Sequence, residues 1–306
     1  MLALGLDAAQ TVPPAALPGP PARDPDSIGP YRILGKLGEG GMGTVYLAEQ
    51  AAPVSRKVAL KVVKHGIGTS AVIRRFDAER QALALMDHPS IARVYEAGET
   101  GDGLPYFAME YVQGEPITDH CDRERLTTRE RLELLVEVCL AVQHAHRKGV
   151  IHRDIKPSNV LVTRVDGKSV PKIIDFGIAR AVEQRLTERS LFTELGMIVG
   201  TPEYMSPEQA EFTGERVDTR TDVYSLGVLQ YELMTGALPF DPAELRAGGF
   251  EQICRRIREE EPSRPSARVS GAGEVAARSA TLRGVDVATL RRQLTGDLDW
   301  VAMKAL

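Results

Sequence analysis

Strands first and helices after is the order in which this 306-residue chain sets out its apolar residues, and that order predicts an α+β fold. Between Tyr31 and Val112 the apolar runs are short and bounded by glycine turns. Beyond Gly114 they lengthen and recur at three- and four-residue spacing. With 43% hydrophobic residues the chain can bury a sizeable core, and a formal net charge of -4 gives no general attraction for nucleic acid.

Residues 1–29, rich in Ala and Pro, are expected to form a disordered leader. From Tyr31, Y-R-I-L-G-K-L makes a strand, Gly38-Glu39-Gly40-Gly41-Met42-Gly43 a glycine-rich turn, and T-V-Y-L-A a second strand. Glycines there let the backbone come close to phosphate oxygens that a side chain would crowd. A dinucleotide-binding fold would need a helix directly after them. Val45, Tyr46 and Leu47 continue as strand instead, and Val58-Ala59-Leu60-Lys61 follows as a third. Lys61 ends an apolar strand, where an unpaired ammonium is costly. Residues 71–86 have helical spacing, with Glu79 on the side of Phe76 and Leu83, and a carboxylate on an apolar face needs a cation. Glu39, Glu49 and Asp77 are alternatives for Lys61 by proximity. His88-Pro89 ends that helix, and residues 91–97 and 106–112 form two more strands around Thr100-Gly101-Asp102-Gly103.

Thr127-x-x-Glu130 is a capping box, and Leu132, Leu135, Val138, Cys139 and Val142 follow at helical spacing up to Gly149. His144 and His146 have neither a carboxylate at i±4 nor a metal partner and are treated as ordinary helix residues. The helix leads into V-I-H-R-D-I-K-P-S-N-V-L, which sets Asp154, Lys156 and Asn159 within six residues. A carboxylate for an attacking hydroxyl, an ammonium for a moving phosphate and an amide oxygen for a metal ion are the groups that phosphoryl transfer uses. Ile173-Ile174-Asp175-Phe176-Gly177 brings a second acid to the end of an apolar strand. Asp222 starts a nearly all-apolar helix that runs to about Gly236.

The glycine loop, His-Arg-Asp followed at this distance by Asn, Asp-Phe-Gly and Ser206-Pro207-Glu208 resemble, in that order, the eukaryotic-type protein kinases. The Gly-Met-Gly loop, Met-Glu-Tyr-Val and Ser-Pro-Glu-Gln are most similar to bacterial members. The likeness is close over residues 31–240 and loose beyond. It implies a two-lobed protein kinase fold: a small antiparallel β lobe with one helix (31–110) and a larger, mainly α-helical lobe (113–306). It also implies an ATP-dependent serine/threonine protein kinase whose partners are ATP, Mg²⁺ and protein substrates. Lys156 and Thr201 resemble the serine/threonine group. The rival reading is a nucleotide-binding pseudokinase scaffold, against which Lys61, Asp154 and Asp175 are all present.

By the same resemblance Asp154 orients the acceptor hydroxyl and takes its proton, Lys156 neutralises the transferring phosphoryl, and Lys61, paired with Glu79, holds the α and β phosphates. Asn159 and Asp175 hold Mg²⁺. Leu37, Gly38, Gly40, Gly43, Val45, Ala59 and Met109 surround the nucleotide, while the Glu110 carbonyl and the Val112 amide face adenine. Asp222 braces the catalytic loop. Thr187, Ser190 and Thr193 are candidates for autophosphorylation near Arg153. Residues 262–296 are expected to be an insert, and the fold is expected to stop short at its C-terminal end. That would leave Glu208 without its family Arg partner, with Arg291 and Arg292 as stand-ins. Three scattered cysteines without C-x-x-C spacing, and no apolar run of the ~20 residues a membrane span needs, lead us to expect a cytoplasmic protein.

Overall fold

Residues 25–40, 43–63, 86–176, 201–211, 217–271 and 273–306 are described by the structure, a computed structural model. The first part is an antiparallel sheet of β1 (Ser27–Ile28), β2 (Tyr31–Gly40), β3 (Gly43–Gln50), β4 (Arg56–Val63), β5 (Val94–Glu99) and β6 (Pro105–Glu110), in the order β1-β2-β3-β4-β6-β5. Side-chain alternation gives the sheet two faces. Tyr31, Tyr46, Val58, Leu60, Tyr106 and Ala108 fill one. Ala59, Val63, Phe107 and Met109 on the other join the core of the second part. Where β3 meets β4, a Cβ on Gly43 would stand 2.0 Å from the Val62 carbonyl oxygen, so this position excludes any side chain.

The sequence predicts five strands here, and the sixth, β1, lies within the stretch 1–29 expected to be a disordered leader. Ile28 is buried, and the Asp26 carbonyl accepts a hydrogen bond from Ile33 N at 3.0 Å. Ile28 pairs with Tyr31 and packs in the same cluster at the sheet edge, a contact that composition does not reveal. The helix expected over 71–86, including Glu79, lies outside the described residues apart from Met86. So do Gly41, Met42, Gly177, Thr187, Ser190 and Thr193.

The second part holds a small antiparallel sheet, β7 (Glu115–Pro116), β8 (Val160–Val165) and β9 (Lys168–Ile173). Around it lie α1 (Ile117–Arg123), α2 (Thr128–Arg147), α3 (Thr219–Thr235), α4 (Pro242–Arg246), α5 (Gly249–Glu259), α6 (Pro265–Gly271), α7 (Gly273–Leu282), α8 (Val287–Leu294) and α9 (Asp297–Ala305). The Thr127–Glu130 capping box forms in both directions at the start of α2. Helix α3 is buried on nearly every side and packs against α2, α6 and α9. Helix α9 comes so close at Gly227 that a Cβ there would lie 2.7 Å from Ala305 Cβ. No helix among the described residues is long and apolar enough to cross a membrane.

Residues 262–296 are not peripheral. They form α6, α7 and α8, and Val269, Ala276, Ala280, Leu290 and Leu294, each at most 2% exposed, belong to the main core. The Asp299 carboxylate accepts from Ser266 N at 2.9 Å and Ser266 Oγ at 2.6 Å, which fastens α9 to the start of α6. Arg283 donates to the Ser279 and Leu233 carbonyls, and burial pulls its guanidinium down to about 10. Glu208 meets neither proposed stand-in: its carboxylate accepts from Thr221 Oγ1 at 2.6 Å, while Arg291 and Arg292 lie on α8 and Arg292 bonds Thr289. Since Leu290 is fully buried, Leu290→Ala is expected to cost about 2–5 kcal/mol, read as a lower urea midpoint at unchanged m. A change under about 0.5 kcal/mol would mark α8 as dispensable to the core.

Candidate active site

The turn between α2 and β8 is held by one carboxylate. Asp222, fully buried in the first turn of α3, accepts from His152 N at 2.8 Å and Arg153 N at 2.7 Å, and its Oδ2 lies 2.7 Å from His146 Nε2. Placement near the helix N-terminus favours the negative charge, and three donors offset its burial. The family-based expectation for Asp222 and the geometry therefore agree. His146 is not an ordinary helix residue: its carboxylate partner comes from α3, so no spacing along α2 reveals it.

His152 is also fully buried and links this turn to β9. The Asp154 N–H donates to His152 Nδ1 at 3.2 Å, which leaves Nε2 as the protonated nitrogen, donating to the Ile174 carbonyl at 2.9 Å. Its ring meets Phe176 edge-on at 4.6 Å between centroids. Asn159 donates to both the carbonyl (2.7 Å) and the carboxylate (2.9 Å) of Asp154, and Lys156 Nζ lies 2.8 Å from the same carboxylate. Asp154, Lys156 and Asn159 are thus brought together as their spacing suggests.

Lys61 and Asp175 arrive from opposite sides. Lys61 Nζ lies 2.7 Å from Asp175 Oδ2, and Asp175 has the uncommon φ of 65°. Among the described residues this is the partner of Lys61; Glu39 instead pairs with Lys36 and Glu49 with Arg32. Register explains the wall beside it. Val45 stands opposite Lys61, and Ala59 opposite Met109, so all four share the inward face. Gly38 is opposite Val45, and Gly40 opposite Gly43; Leu37 is 47% exposed at the sheet edge. Glu110 is fixed by Lys172 through its side chain and by the Arg93 carbonyl through its amide, ahead of the half-buried Val112.

The segment 201–211 meets the turn that carries Asp154, where Gln209 Nε2 donates to the Arg153 carbonyl at 2.9 Å. Its Tyr204 hydroxyl donates to Glu232 on α3. Burial raises the phenol above its usual range, with Glu232 beside it adding to the rise. Burial also raises the Glu232 carboxyl, against the effect of that hydrogen bond. As for metal ligation, Asn159 uses its amide hydrogens on Asp154, so its carbonyl oxygen, together with the Asp175 carboxylate, makes an oxygen-only donor set that suits a hard divalent cation.

The protein kinase domain family matches residues 31–276, and the chain belongs to it. It is 42% identical over 221 residues to serine/threonine-protein kinase pkn2 of Myxococcus xanthus, covering 71% of this chain and 26% of that protein. It is 35% identical over 281 residues to serine/threonine-protein kinase PknB of Mycobacterium tuberculosis, covering 90% of this chain and 39% of that protein. The chain thus spans less than half the length of these relatives. The crystal structure of the Mycobacterium tuberculosis PknI kinase domain superposes with a TM-score of 0.56 at 28% identity, covering 88% of this chain and 96% of that one. These likenesses place the chain among bacterial kinases of the eukaryotic type, with the two-lobed fold.

A pair of histidines faces one another where α2 meets the stretch before β5. His88 and His144 lie 5.2 Å apart between ring centroids, and Ser90 N donates to His88 Nδ1. Burial, and then the facing His144, lower the pKa of His88 from its ordinary 6.5. A lowered histidine leaves the unfolded chain the better proton acceptor, so its contribution to stability is complete above the unfolded value and is lost as pH falls toward the folded one. The loss of melting temperature between about pH 7.5 and about pH 5.5 is expected to be smaller in His88→Gln than in the wild type. Equal losses would show that His88 does not contribute to the pH dependence of stability.

Proposed function

We propose that this chain is the catalytic domain of a protein kinase that transfers the γ-phosphoryl group of ATP to serine and threonine hydroxyls of proteins. The observation that carries this is the meeting of Lys61 and Asp175, 114 residues apart in sequence, beside the Asp154–Lys156–Asn159 cluster. In this reading Asp154 orients the acceptor hydroxyl and takes its proton as the oxygen bonds to γ-phosphorus. The bond from that phosphorus to the β–γ bridging oxygen breaks, and ADP leaves. Lys156 sits beside Asp154 to neutralise charge on the moving group, and Lys61 holds the α and β phosphates.

Mg²⁺ bound by Asn159 and Asp175 would spread the phosphate charge. Leu37, Val45, Ala59 and Met109 would enclose adenine, with the Glu110 carbonyl and the Val112 amide along its edge. Gly38, Gly40 and Gly43 would cover the phosphates, and Glu79 would share Lys61 in the active state. Thr187, Ser190 and Thr193 are the proposed autophosphorylation sites. The described cysteines are unpaired, in keeping with a reducing, ATP-supplied cytoplasm.

Because positioning and charge stabilisation provide most of the catalysis, Asp154→Asn and Lys61→Met should each lower ³²P transfer from ATP to a generic basic protein by about two orders of magnitude or more, with the fold intact. Incorporation equal to wild type in Asp154→Asn would overturn the reading.

A further inference from the structure

Arg153 is a non-glycine residue at φ 71°, a conformation that persists only where the surroundings hold it. Its N–H is taken by Asp222. Its carbonyl accepts from the side-chain amide of Gln209, Nε2 to O at 2.9 Å. That oxygen belongs to the same peptide unit as the N–H of Asp154, which donates to His152 Nδ1 at 3.2 Å. One peptide plane, the one leading into Asp154, is therefore held at its oxygen and at its hydrogen by side chains from two different segments.

Gln209 is itself oriented. Its Oε1 accepts from Ser206 N at 3.1 Å, and its backbone N–H donates to Ser206 Oγ at 3.4 Å. Ser206 Oγ in turn donates to Thr221 Oγ1, one residue before Asp222. With the carbonyl end used on Ser206 and the amino end on Arg153, the amide has one productive orientation. The glutamine thus joins the Ser-Pro-Glu-Gln segment to the catalytic turn.

On the strength of the kinase reading above, we propose that Gln209 is a positioning residue for phosphoryl transfer: its amide fixes the rotation of the peptide between Arg153 and Asp154, and so the direction of the Asp154 carboxylate. Gln209 touches no reacting atom, and its effect on the chemical step passes through that peptide. A displacement of about 1 Å in a reacting group is enough to lower a rate on the order of a hundredfold, so a modest rotation here is felt in the chemical step.

Gln209→Glu separates the two hydrogen bonds. It keeps the volume and the acceptor toward Ser206 N, but sets a carboxylate oxygen against the Arg153 carbonyl. Gln209→Met removes both. Peptide phosphorylation by Gln209→Glu is expected to show kcat lower by about tenfold with KM for ATP within about twofold of wild type. Gln209→Met should match that kcat loss and also raise KM for the peptide, because the Ser206 segment is released. A glutamine that only supports the fold would lower the melting temperature and leave kcat per folded molecule unchanged, and that result for Gln209→Glu overturns the proposal. Should Gln209→Glu not fold, Gln209→Met decides by the same split of kcat from KM for ATP. An inactive wild type would overturn the kinase reading itself, whereas an active wild type matched by both variants overturns only the role of Gln209.

Discussion

Buried in the first turn of α3, the Asp222 carboxylate gathers the backbone N–H groups of His152 and Arg153 and the ring of His146, and nearly everything else in the site inherits its place from that contact. A fully buried carboxylate is tolerated only when its lone pairs are met, and here the donors come from α2 and from the turn that follows it. The turn is thereby pinned to the most enclosed helix of the larger lobe. From it His152 reaches β9 through Ile174 and packs on Phe176, and Asn159 closes on Asp154.

The smaller lobe is fastened to this frame by backbone as well as by charge. Ala92 N donates to the Ile173 carbonyl and Ile173 N donates to the Ser90 carbonyl, each at 2.9 Å, so the stretch before β5 is fastened to the end of β9, just before Asp175. Alternation along β4 then decides what faces the cleft: Ala59 and Lys61 turn inward, while Val58 and Leu60 fill the opposite face of the sheet. The ion pair between Lys61 and Asp175 spans the two parts of the molecule at the point where these supports converge.

What the sequence made legible was local. Asp154, Lys156 and Asn159 are close in the chain, and a short loop cannot separate them far. The capping box at Thr127 is likewise written in neighbouring residues. What escaped depends on contacts between distant segments. His146 finds its carboxylate on α3, Glu208 finds a hydroxyl where the resemblance implied a guanidinium, and Gln209 finds the Arg153 carbonyl. Composition leaves two packing contacts unread. Ile28 anchors a strand inside a Pro-rich stretch, and Ala276, Ala280, Leu290 and Leu294 give residues 262–296 a buried face that abundant Ser, Arg and Gly conceal.

The dependence of the chemical step on Asp222 is open to direct measurement by single-turnover phosphoryl transfer in Asp222→Asn at saturating MgATP, beside MgATP affinity measured by titration. An asparagine in that place presents N–H groups where one backbone donor expects an acceptor. Leaving a buried donor unmet costs about 1–3 kcal/mol, and the strain is delivered to the turn that carries Asp154. The expected result is a transfer rate lower by about tenfold or more with nucleotide affinity within about twofold. A folded Asp222→Asn that transfers phosphate at the wild-type rate would contradict it.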